Sequence, residues 1–121
     1  MSPTARTLKL LKERGHAAGV VERYNSFTKQ RHDLLGCIDI VAAAGLGGVQ
    51  GWQATSDSNL ASRVAKAIAE PRLKSWLAAG GRFYAIGWGK KGARGERKVW
   101  KHRIVELRLV EGEVREHVCD N

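Results

Sequence analysis

The stretch RHDLLGCIDIVAAAGLGGVQGWQAT, residues 31–55, decides the reading of this chain. Two runs rich in Ile, Val, Ala and Trp are joined by GLGG at 45–48. This predicts strands over 36–44 and 49–55, paired antiparallel through a glycine turn. One residue resists that pattern. Asp39 sits inside the more apolar run, and burying an unpaired carboxylate costs several kcal/mol. In such a hairpin Gln53 lies across from Asp39 near the glycine turn. An acid and an amide oxygen converging at a strand end suit a hard cation such as magnesium, which takes oxygen ligands and keeps several waters. The plainer account of Asp39 is a carboxylate tied to backbone amides or to an arginine.

Working outward, Ser2-Pro3 reads as a helix cap followed by proline at the first helical position, with Leu8 and Leu11 on one face and Gly15 as the stop. This predicts a helix over 4–14. A first strand is expected over 17–24, broken by Asn25-Ser26. After residue 55, SDSN is dense in capping residues, and Leu60, Val64 and Ile68 recur at helical spacing. Asn59, Arg63, Lys66 and Glu70 fall on the opposite face. Pro71 ends or kinks that helix, and a short amphipathic continuation runs to Gly80-Gly81. Strands follow over 82–88, 99–110 and 113–118. The order α-β-β-β-α-β, then further β, describes one mixed α/β domain spanning 1–121.

The chain has 121 residues, 43% hydrophobic and 27% charged, enough for one core. A net charge of +9 and a pI of about 10.1 point to a polyanionic partner, nucleic acid first. Cys37 and Cys119 have no metal-site spacing; they allow one disulfide but read rather as structural thiols of a reducing cytosol. His16, His32, His102 and His117 are scattered. No run approaches the ~20 apolar residues of a membrane span, and the N-terminus lacks a signal-peptide core. The expectation is a cytoplasmic protein.

Four segments, RHDLLGCIDIVA, GWQATSDSN, WLAAGGRFYAIGW and RKVWKHRIVEL, resemble small phage and bacterial proteins of the PD-(D/E)xK nuclease superfamily. That superfamily includes restriction endonucleases and archaeal-type Holliday junction resolvases. The resemblance covers about residues 8–107. It implies a restriction endonuclease-like α-β-β-β-α-β core, with a mixed central sheet flanked by helices, and a magnesium- or manganese-dependent DNA endonuclease. It makes Asp39 the metal-binding aspartate of the second strand. It puts Gln53 at the Asp/Glu position of the third strand, Ala54 as a carbonyl ligand, and Thr55 where the catalytic lysine belongs.

Two departures follow from that alignment. Glutamine coordinates only through a neutral carbonyl, and threonine has no cationic head for the phosphate. Lys66, beside Arg63 on the next helix, is the substitute cation, unless that face is merely solvated. Glu22 and Asp33 flank the hairpin and are the candidate additional acids, better placed than Glu13. The resemblance also implies a homodimer, as in resolvases.

Residues 89–103, GKKGARGERKVWKHR, form the other informative run. Lys90, Lys91, Arg94, Arg97, Lys98, Lys101 and Arg103 are accompanied by one acid, Glu96, and by Trp88 and Trp100. Cations neutralise phosphates and tryptophan stacks on unpaired bases, although at least one of these tryptophans is expected in the core. The reading is a DNA-binding arm, with branched, single-stranded and duplex DNA all open. Three functions compete: an active nuclease; a catalytically silent module of the same fold, favoured by Gln53 and Thr55; and an RNA-binding protein, which the charge alone permits.

Overall fold

The computed structural model describes residues 1–118. Helix α1 (Pro3–Glu13) starts where the Ser2 hydroxyl accepts the N–H of Ala5, with proline at its first turn. The strands are β1 (Ala17–Val20), β2 (Arg23–Asn25), β3 (Gln30–His32), β4 (Ile40–Ala43) and β5 (Val49–Ser56). Helices α2 (Leu60–Ile68) and α3 (Pro71–Ala78) follow, then β6 (Arg82–Lys91), β7 (Val99–Val110) and β8 (Glu113–Val118). Six strands form one sheet in the order β1-β4-β5-β6-β7-β8. Only β5 and β6 pair parallel, because α2 and α3 carry the chain back between them. The other neighbours pair antiparallel.

Alternation along the strands loads both faces of this mixed sheet. Leu11 of α1 packs with Ile40, Trp52, Ile86 and Ile104 on one face. On the other, Leu60, Val64 and Leu73 of α2 and α3 pack with Ile38, Phe83 and Leu107. Burial of these side chains contributes roughly 1.5–3 kcal/mol each. Gly51 is required by this packing: a Cβ there would lie 2.7 Å from the Ile38 side chain. Cys37 is a free buried thiol pushed up to about 12, chiefly by burial and next by the Glu70 charge. Cys119 lies outside the described residues. Among the described residues no helix is long and apolar enough to cross a membrane.

Three expectations need correcting. The strand expected over 17–24 leaves the sheet after Val20. Its last bond runs from the Val21 N–H to the Asp39 carbonyl, and the chain then builds a separate two-stranded hairpin from β2 and β3. The strand expected over 36–44 begins only at Ile40, because Leu35 and Gly36 take positive φ in a turn closed by a Leu34–Ile38 bridge. Finally, the glycine turn joins Ala43 to Val49, so Asp39 and Gln53 belong to the opposite end of the hairpin.

Candidate functional site

The ends of several elements converge at one end of the sheet. β5 and β1 end there, the β5–β6 pairing ends there, and β4 begins there. A cleft of about 850 Å³ opens at that end, lined by Asp39, Asp33, Glu22, Thr55, Lys66 and Arg63 among others.

Asp39 reaches the cleft through a bulge. Its N–H donates to the Trp52 carbonyl at 2.8 Å, yet Ile40 is the residue that faces Trp52 in the ladder. Two consecutive residues therefore meet one, a device that re-aims a side chain beside a site. The Ala54 N–H donates to Asp39 Oδ2 at 2.9 Å. Glu22 follows β1 and Asp33 follows β3, and together with Asp39 they bring carboxylate oxygens within 4.8 Å of one another. Arg31 approaches Glu22 Oε1 at 3.5 Å.

Electrostatics follow from this crowding. Asp39 is 5% exposed. Burial raises its carboxyl most, followed by a hydrogen bond shared with Asp33. The Ala54 N–H pulls the other way, and the charges of Asp33 and Glu22 add to the rise from 3.8 to about 8. Three acids on three separate segments form a hard-oxygen donor set. Cation binding is the change that would relieve their repulsion, so the residues present fit a divalent metal.

Helix α2 supplies the opposite charge. Asn59, Arg63 and Lys66 stand four and three residues apart, one stripe of the helix, and all line the cleft. Leu60, Val64 and Ala67 occupy its buried side. The first turn of α1, with Ser2 and Thr4, also lines the cleft, so the positive end of its dipole lies at the cleft.

The expected residues do not all gather here. Ala54 and Thr55 line the cleft, but Gln53 does not. Gln53 is 2% exposed and pairs with Ala85, part of the core beneath α2 and α3; its Oε1 has no partner among the described residues. The bulge has also removed its one-to-one opposition to Asp39. Glu13 ends α1 and lies outside the cleft.

The basic arm is the β6–β7 hairpin, which runs beyond the last β5–β6 pair, Ser56–Trp88, at this same end of the sheet. Lys91 and Arg103 are tied to Asp57, at 2.9 and 3.3 Å, and those contacts hold its carboxyl below the usual range. Lys90, Arg94, Arg97, Lys98 and Lys101 are exposed. Trp88 donates to Thr7 Oγ1 and is half-buried, whereas Trp100 is 44% exposed beneath the Arg6 guanidinium. His102 packs against Trp88, away from the acids, and burial lowers its pKa.

The polar hairpin 23–32 was not anticipated as a separate structural element. Its available signal was ten residues without an acid, carrying Arg23, Lys29, Arg31, Tyr24 and Phe27. Compared with protein-family models, curated proteins and solved structures, the chain matches none of them.

Proposed function

We propose that this protein is a divalent-metal-dependent DNA endonuclease of the PD-(D/E)xK type, with Glu22, Asp33 and Asp39 as its ligand set. The observation that carries this reading is the meeting of three carboxylates, from three segments, in a cleft whose other wall presents Lys66 and Arg63. Gln53 takes no part as a ligand in this proposal. Asp33 and Glu22 restore the negative charge that the glutamine lacks.

A bound magnesium or manganese ion would supply Lewis acidity toward a phosphodiester and a water activated near neutral pH. The chain's own residues do the rest. The bulge and the Ala54 N–H fix the Asp39 carboxylate. Lys66 and Arg63 offset charge that accumulates on the phosphate oxygens. The first turn of α1 adds a positive dipole at the cleft. Exposed cations of the β6–β7 arm hold the flanking backbone without reading sequence.

Buried Gln53 and Thr55 favour a second reading, a silent DNA-binding module of the same architecture. The deciding experiment incubates labelled branched, single-stranded and duplex DNAs with magnesium, manganese or EDTA. Cleavage that needs metal and vanishes in Asp39→Asn, with DNA binding retained, is the expected outcome. Metal-independent cleavage, or undiminished cleavage by Asp39→Asn, refutes the proposed centre. Binding without cleavage in every arm establishes the silent module instead.

A further inference from the structure

We infer that the β2–β3 hairpin is a second nucleic-acid element, which stacks Phe27 and Tyr24 on unpaired bases of the substrate. The inference rests on the nuclease reading only for the position it assigns to those bases.

Exposure is the first observation. Phe27 is 97% exposed and Tyr24 62% exposed, a large apolar cost on so small a hairpin unless a partner covers them. The apex is nevertheless built: Asn25 Oδ1 accepts the N–H groups of Phe27 and Thr28, at 2.9 and 3.3 Å. Lys29 closes the turn with φ of 54°. Phe27 is therefore presented at the tip by a formed turn.

Charge supplies the second observation. Residues 23–32 hold Arg23, Lys29 and Arg31 and no acid, although Arg31 also approaches Glu22 at 3.5 Å. Aromatic rings set among cations match a polynucleotide, whose bases stack while its phosphates pair. A concavity of about 320 Å³ lies on the hairpin, lined by Arg23, Tyr24, Asn25, Ser26 and His32. It offers a ring face, a guanidinium and an amide together, the groups that bind an extruded base.

Placement is the third. Glu22 immediately precedes β2 and Asp33 immediately follows β3, so the hairpin is rooted in two of the three acids. Phe27 stands five positions after Glu22, a reach of at most roughly 18 Å. A base on Phe27 then lies within about five nucleotides of the phosphate at the acids, taking ~3.4 Å per nucleotide. Intact duplex keeps its bases stacked on one another, so the substrate class is DNA with unpaired nucleotides close to the cut: flaps, branches or single-stranded ends.

The test uses the full chain in EDTA, so that cleavage plays no part. Anisotropy titrations compare a flap, a single strand and a matched duplex at fixed salt, with 2-aminopurine at the unpaired position as a stacking probe. Phe27→Ala and Tyr24→Ala should each weaken flap and single-strand binding by roughly 5- to 150-fold, the range for one lost stacking contact. Duplex binding should stay within about twofold, and Phe27→Trp should retain the preference. Lys29→Gln should lower the salt slope on every DNA by about one. Equal losses on flap and duplex, no loss at all, or unchanged 2-aminopurine emission overturns the inference. Metal-dependent cleavage with no Phe27 effect sinks the hairpin alone. A Phe27-dependent preference without cleavage sinks the nuclease alone.

Discussion

Replacing Asp39 by asparagine should stabilise the metal-free protein, and by more as pH rises. Asparagine is nearly isosteric with a protonated aspartate; it still accepts from the Ala54 N–H and still donates toward Asp33. An unfolded aspartate titrates near 3.8, whereas the native Asp39 carboxyl titrates at about 8. Between those values the native state holds a proton that the unfolded state has lost, so stability falls with rising pH at about 1.4 kcal/mol per unit. Below 3.8 both states are protonated and the penalty disappears; above about 8 both are ionised and it is constant. From about pH 5 to about pH 8 the full loss is ~4 kcal/mol, and water in the cleft screens this to roughly 2 kcal/mol. Urea unfolding of both forms in EDTA, followed by circular dichroism, measures it. The advantage of Asp39→Asn should widen by about that amount across the interval. Saturating manganese, which takes the ionised form, should restore wild-type stability but not affect Asp39→Asn. A stability difference that is flat in pH refutes the crowded-acid account.

Lys66→Ala should slow single-turnover cleavage by ~10²-fold or more with DNA affinity little changed, the pattern of a lost transition-state contact; an unaltered rate removes Lys66 from the site. Neutralising Lys90, Arg94, Arg97 and Lys98 together should weaken binding to all DNAs alike and reduce the salt slope by about 0.9 per lost phosphate contact. An unchanged slope takes the arm off the interface. Gly51→Ala should destabilise by roughly 1–3 kcal/mol in denaturant titrations, since the new methyl meets Ile38 at 2.7 Å, and an equally stable variant would show that Ile38 has room to move.

Periodicity carried the strongly patterned elements. Leu60, Val64 and the Pro71 break mark α2 and α3, and the alternating runs at 49–56 and 99–110 emerge as β5 and β7. The acids flanking the hairpin were visible as well, because charge beside an apolar run stands out. Two features were hidden for physical reasons. Residues 23–32 pair through local turn bonds at Asn25 rather than through an apolar face, so no alternation announces β2 and β3. The bulge at Asp39 is invisible because a strand's face assignments depend on counting every residue, and one extra residue changes the count. Gln53 was misplaced by the same miscount: it belongs to the face of Ala85, while Asp39 is diverted into the cleft.

That extra residue also lets one short run of chain fill two cores. Ile38 and Ile40 belong to the two different cores although one residue stands between them, an arrangement regular alternation forbids. With Asp39 left out of the count, Ile38, Ile40, Val41 and Ala42 alternate between the two cores. The extra residue lets the Asp39 carboxylate turn into the cleft while Ile38 and Ile40 each keep their own core, and its backbone still bonds Trp52 and Val21. One residue thus serves two ends at once: its backbone joins the neighbouring strands through Trp52 and Val21, and its side chain supplies the cleft with a carboxylate.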